Sequence, residues 1–273
     1  MLGKKIELVK QGGNKTIRAE ALGINRKNIY RASQLEIKAL AVKEQIIQTH
    51  KKHPSYGHRR LGLDLKINPK RIRRIMKKYG IKVPRRRSEN TFCTKSVKHR
   101  KYPNLIQDLL ITSENQVWCS DTSEFKFHGS KWYIVTIIDI FTRQVIGVAI
   151  GRHHDSDLVL KSIPIAIMTT KTAPSLFHSD QGTEFMAEVC TAYLENLGIR
   201  ISASDTASPW QNGYQESFFG KFKDEFGDIN RFETAGELIE AIYHYIHYYN
   251  TERIHTILRM PPSVYAKQFL KKS

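Results

Sequence analysis

Three carboxylates, Asp121, Asp180 and Glu216, stand where side chains of that type can hold metal ions. Asp121 falls inside QVWCSDTSEFKF, whose alternation reads as a strand. It shares a face with Cys119 and Ser123, opposite Trp118, Ser120 and Thr122. A carboxylate in a core strand is costly unless something compensates it, and a bound cation is the economical answer. Asp180 ends the strand PSLFHSD, and Gly182 opens HSDQGTEF into a helix. Glu216 lies in SPWQNGYQESFFGKFKDE, in a helix beginning near Asn212, with 35 residues between it and Asp180. Two Mg2+ ions roughly 3.5–4 Å apart can activate a water or a 3′-hydroxyl and stabilise the departing 3′-oxygen of a phosphodiester. Mg2+ takes a few carboxylates and leaves its other positions to water and phosphate, which suits acids drawn from two strands and a helix. Lys223 follows Glu216 by seven residues, two helical turns, so both point the same way and a cation there can hold a substrate phosphate.

Spacing alone does not single these acids out, because three acids in such a span are common. Glu184, four residues after Asp180, is the rival third ligand, although the helix dipole also explains an acid early in a helix. Asp139 reads as a strand end or as a partner of Arg143. His153 and His154 precede Asp155 at a helix start, where capping accounts for them. Trp210 can stack on a frayed base or pack on a sheet edge. Tyr243, Tyr245, Tyr248 and Tyr249, at helical spacing, read as core and interface.

The elements that must position these groups follow from periodicity. QVWCSDTSEFKF, KWYIVTIIDIFT and RQVIGVAIG read as three antiparallel strands joined by short turns at 128–131 and 141–143. A helix near 155–169, the strand PSLFHSD, a helix at 183–197, a short strand at 199–203 and helices at 212–227 and 233–249 follow. This order predicts an α/β unit over 115–273, a mixed five-stranded sheet with helices on both faces. Residues 1–35 read as a short helix-turn-helix-like segment. There Ala19, Leu22 and Ile24 point inward, Gly23 turns the chain, and Asn25 caps a second helix through Tyr30. Residues 36–87 read as a basic helical domain, and 88–114 as a polar linker with few apolar anchors.

Charge names a partner. The net charge is +18, and residues 1–115 carry 29 Lys and Arg against 8 Asp and Glu. Such a bias points to a polyanion, with double-stranded DNA the leading candidate. Ile72, Ile75, Met76 and Tyr79 form one narrow apolar stripe, and Lys70, Arg71, Arg73, Arg74, Lys77 and Lys78 cover the rest of that helix. Such a helix suits docking against phosphates. Pro54 and Gly57 turn the chain before a helix carrying Arg59 and Arg60. No apolar run spans a bilayer, and the N-terminus lacks the apolar stretch of a signal peptide, so a cytoplasmic protein without membrane partners is expected. The three cysteines form no CxxC pair, which argues against structural zinc and a disulfide framework.

WCSDT, HSDQGTEF and QNGYQESFFGKFKDE together resemble the DDE transposases of bacterial insertion sequences, relatives of retroviral integrases. The nearest resemblance is to the insertion-sequence "three" family, whose transposase often comes from two overlapping reading frames. YYNTERIHTILRMPPSVYA is similar to that group's C-terminal signature through Tyr249, Asn250, Arg253, His255, Leu258 and Pro261. PSYGHRRLGLDLKINPKRIRRIMKKYGIKV is similar to its helical domain before the core, and ALGINRKNIYR to its N-terminal segment. The resemblance implies an RNase H-like core, Mg2+ or Mn2+ dependence with two ions per site, and cutting and joining of element ends. By it Asp121, Asp180 and Glu216 match the metal ligands, Lys223 a residue on terminal DNA, and His178 and Asn212 positions near the site. It implies homo-oligomers on DNA and, for a second-reading-frame product, a first-reading-frame partner protein. The alternatives are an idle or truncated DNA-binding regulator, and a hybrid-cutting nuclease, which leaves the basic N-terminal units without a role.

Overall fold

The structure, a computed structural model, describes residues 2–11, 13–25, 27, 34–84, 102–204 and 213–270 of the chain. It divides into two compact units, Met1–Val83 and Pro84–Ser273.

In the first unit, helices α1 (Leu2–Lys10) and α2 (Lys15–Ala21) close over Val9, Ala19 and Ile24, with Leu22 packed alongside. Gly23 makes the turn at φ +65°, and the Asn25 side chain accepts from Lys27 N. The helix expected from there through Tyr30 extends outside the described residues. Three further helices follow: α3 (Gln34–Lys52), α4 (His58–Asp64) and α5 (Pro69–Lys78). Helix α5 begins with two local signals, an Asn68 side chain that caps Lys70 N and a proline at the first helical position. Its buried face is Ile72, Ile75 and Met76, as the periodicity predicts. Gly62 lets α4 approach the start of α5: a Cβ there would stand 2.8 Å from Pro69 Cγ and 2.9 Å from Ile67 O.

The second unit is built on one sheet in the order β3-β2-β1-β4-β5, from β1 (Val117–Phe127), β2 (Ser130–Asp139), β3 (Val145–Gly151), β4 (Leu176–Ser179) and β5 (Arg200–Ala203). The first three pair antiparallel, and β4 and β5 run parallel to β1. One face carries Trp118, Val135 and Ile137 against α6 (Ser156–Thr170) and α8 (Glu188–Asn196). The other carries Phe127, Trp132, Ile134 and Val148 against Phe218, Phe219, Phe222 and Phe226 of α9 (Gly213–Phe226) and Leu238, Ile242 and Tyr249 of α10 (Ala235–Thr251). This is the mixed, helix-flanked sheet of the RNase H-like class.

Three details differ from the sequence expectation. The helix expected over 183–197 is two, α7 (Thr183–Met186) and α8, because Ala187 is extended at φ −59°, ψ 139°. A last helix, α11 (Pro262–Leu270), was not anticipated. Much of the expected linker 88–114 belongs to the core: Ile106, Leu109 and Ile111 pack against Val117, Cys119, Ile140 and Leu176, and Tyr102 donates to Glu195 at 2.9 Å. Those apolar residues are too sparse to register as an element but sufficient to seal the sheet end.

Candidate functional site

Asp121 and Asp180 are neighbours because of a parallel ladder. Cys119 of β1 stands opposite His178 of β4, and two residues further along each strand come the two aspartates. Asp180 lies just past the C-terminal end of β4, where open α/β sheets expose their chemistry. Its Oδ1 accepts from Gly182 N at 3.0 Å. Asp121 shares the face of Cys119 and Ser123, as the alternation predicts, and stands directly opposite Thr136 of β2; α9 covers this face.

Glu216 sits on the first turn of α9. The residue before it, Gln215, is wholly buried and fastens that helix to the sheet. Its Nε2 donates to Cys119 O at 2.5 Å and to Thr136 O at 3.0 Å, and its Oε1 accepts from Thr136 Oγ1 at 2.8 Å. One side chain thus ties Glu216's helix to the residue opposite Asp121 and to the strand two residues before it. Sequence reasoning missed Gln215, since nothing local distinguishes it from a solvated helix residue. Changing it to Leu keeps the volume and removes three buried hydrogen bonds. Urea unfolding is expected to show a loss of about 2–4 kcal/mol; a loss under ~0.5 kcal/mol would contradict the fastening role.

The electrostatics are those of a site short of positive charge. Burial raises the Asp121 carboxyl from an ordinary 3.8 to about 8, helped by Asp180, then Glu184 and Glu216, against the opposing Thr122 N–H. Asp180 is raised by burial and by Glu184, while the Gly182 N–H and His154 pull the other way. Among the described residues, no three His, Cys, Asp or Glu side chains are arranged to hold a metal as they stand. The donors nevertheless suit a hard divalent cation: all are carboxylates, and their mutual repulsion is what such an ion relieves.

Glu216 and Lys223 both lie on the exposed face of α9. His178 is buried, bonded through Nδ1 to Ser202 Oγ at 2.9 Å, so it ties β4 to β5. Asn212 and Trp210 lie outside the described residues. Asp139 ends its strand: Oδ1 accepts from Thr142 N and Thr142 Oγ1, and Oδ2 from Asn115 N. Asp155 caps α6 through Leu158 N, but His154 turns to Glu184, 2.7 Å away, a contact that capping did not foretell. Asn250 brackets Val145 of β3, accepting from its N–H at 2.9 Å and donating to its carbonyl at 2.8 Å. Arg253 forms a two-pronged pair with Glu225 of α9.

The first unit presents the basic surface. Arg59 of α4 and Lys70, Arg71, Arg73, Arg74, Lys77 and Lys78 of α5 are exposed, and Arg60 is half-buried over the Tyr56 ring. Lys78 pairs with Glu36 at 2.7 Å, and Arg71 reaches Lys38 O at 3.4 Å, both within the unit. Burial, and then Arg73 and Arg59, push the His58 pKa down, so cations of both helices converge there.

Residues 112–209 match the family Integrase core domain, and residues 197–262 match a second family of that description. Residues 38–89 match an HTH-like domain. The chain is 33% identical over 216 residues to a transposase-like protein of Haemophilus influenzae, covering 76% of this chain and 96% of that protein. It is 28% identical over 192 residues to a transposase for insertion sequence element IS904 of Lactococcus lactis, covering 69% of this chain and 76% of that one. The integrase catalytic core domain of HTLV-2, solved in complex with magnesium, superposes with a TM-score of 0.47 at 17% identity, covering 56% of this chain and 97% of that one. No described helix is long and apolar enough to cross a membrane. By its matched domains and by its identity to these relatives, the chain belongs to the insertion-sequence transposases, with an integrase core domain preceded by an HTH-like domain.

Proposed function

We propose that this chain is a metal-dependent polynucleotidyl transferase that cuts DNA at element ends and joins the freed 3′-hydroxyl to target DNA. The observation that carries the reading is the like-charged set around Asp121, on adjacent strands and a covering helix, in a fold of this family. Asp121, Asp180 and Glu216 would hold two Mg2+ (or Mn2+) ions, which when bound supply Lewis-acid activation of the attacking and leaving oxygens. The strands fix the two aspartates, and Gln215 fixes the start of the helix that brings Glu216 to them. Lys223, on the same exposed face, would hold a phosphate of terminal DNA.

Arg59, Arg60, Lys70, Arg71, Arg74, Lys77 and Lys78 in the first unit would grip duplex phosphates, with Lys78 and Arg71 also bound to their own unit. Joining both ends of an element requires more than one active site, so homo-oligomers on DNA belong to the proposal.

The test is strand joining on cognate end DNA with Mg2+. Wild type is expected to join, and Glu216→Gln to join on the order of a thousandfold less. DNA binding by Glu216→Gln is expected to persist and to weaken steeply with salt. Equal joining by both proteins would refute the assignment, and a flat salt response would refute the phosphate-gripping role.

A further inference from the structure

Glu184 is buried, with 4% of its surface exposed, although it is an acid on a helix of only four residues. A single turn has little dipole to stabilise a charge. Its Oε1 accepts from His154 Nε2 at 2.7 Å, and the Tyr133 ring stacks on that imidazole at 5.0 Å. Its Oε2 is buried and has no hydrogen-bond partner among the described residues. A carboxylate fixed at one oxygen and unsatisfied at the other is a costly arrangement if structure is its only purpose.

The direction of the unsatisfied oxygen is set by Gly182. A Cβ on that glycine would lie 2.6 Å from Glu184 Oε2 and 2.9 Å from Asp180 Oδ1. Both oxygens therefore converge on the same glycine, and its lack of a side chain leaves the space between them open. The charge of Glu184 is also felt at Asp121, at Asp180 and at Cys190.

We propose that Glu184 is a fourth carboxylate of the divalent-cation site, held at one oxygen by His154 and facing the ion on the Asp180 side with the other. The inference rests on the reading of Asp121, Asp180 and Glu216 as cation ligands. His154 is a positioning residue: it orients Glu184 and leaves one oxygen for the ion or for water that the ion carries. Mg2+ and Mn2+ keep several such waters, and a buried acceptor beside them raises affinity without adding a direct ligand.

The experiment is a titration of the full chain with Mn2+ alone, following the free-ion electron paramagnetic resonance signal, with near-ultraviolet circular dichroism to verify folding. Glu184→Gln keeps the shape and the bond to His154 but removes the charge. It is expected to weaken Mn2+ binding on the order of tenfold. Glu184→Ala, which opens the space to water, is expected to weaken it to a similar degree. Wild-type Mn2+ affinity in either folded variant would overturn the proposal and leave His154–Glu184 as a structural latch between α6 and α7. Failure of both variants to fold would also overturn it. Asp121→Asn in the same titration separates the two readings. If Asp121→Asn binds like wild type, the three-carboxylate reading fails. If Asp121→Asn loses binding and the Glu184 variants do not, only the present inference fails.

Discussion

Replacing Asp121 by asparagine is expected to abolish strand joining and, in the same protein, to raise the stability of the metal-free chain. Both effects follow from one fact: the Asp121 carboxyl is lifted to about 8 by burial and by Asp180, Glu184 and Glu216. In the unfolded chain an aspartate titrates near 3.9. Between those values the folded chain holds a proton that the unfolded chain has shed, so wild-type stability falls as pH rises from about 4 to about 8. Asparagine carries no charge, so the variant lacks this contribution. The advantage of the variant is absent below pH ~4, grows through that window and is constant above it.

Four pH units at about 1.4 kcal/mol each set a ceiling near 6 kcal/mol. Asp121 is only partly shielded from solvent, so about 2–3 kcal/mol is expected, or roughly 5–10 °C in a unit of this size. Thermal melts in EDTA at pH 5, 7 and 8.5 measure the gap. A gap that does not widen with pH would show that Asp121 is not strained by its neighbours. Added Mg2+ is expected to stabilise wild type and leave the variant unmoved, the signature of a group kept for a ligand rather than for the fold.

The strands were legible because their signals are local. β-branched runs bounded by short turns gave β1, β2 and β3, and alternation placed Asp121 on the face of Cys119 and Ser123, away from Trp118. The acids were legible as a spacing and as motifs on a strand, a strand end and a helix. What those motifs concealed was tertiary. Glu184 had a sufficient local explanation as an early-helix acid, and His154 as a neighbour of a cap, yet the two meet across 30 residues. Gln215 looks like any polar helix residue until β1 and β2 supply its partners. The break at Ala187 is invisible to periodicity, because apolar residues continue on both sides of it. The segment from Tyr102 to Thr112 reads as linker by composition and becomes core because three residues find a sheet end.

The second large effect is expected where the C-terminal signature meets α9. Arg253, 2% exposed, donates from Nε and Nη2 to the two oxygens of Glu225 at 2.6 and 2.7 Å, and the Tyr245 hydroxyl donates to the same carboxylate at 3.1 Å. Burial opposes the arginine's charge, but the Glu225 bonds and charge outweigh it and hold its pKa above the ordinary value. Removing one partner strands the other charge in the interior, which costs about 3–5 kcal/mol. Arg253→Met is therefore expected to lower the melting point by roughly 6–20 °C, and Glu225→Leu by a similar amount. The double variant is expected to be more stable than either single one, because two apolar side chains fill the space without an orphaned charge. Urea titrations of the four proteins give the coupling. Losses below ~1 kcal/mol in the single variants, or a double variant worse than both, would rule out a desolvated pair. Glu225 lies nine residues beyond Glu216, about 13.5 Å along the helix. The pair thus anchors the far end of the same helix whose start Gln215 holds, and a helix fixed at both ends keeps Glu216 at a constant distance from the strands that carry Asp121 and Asp180.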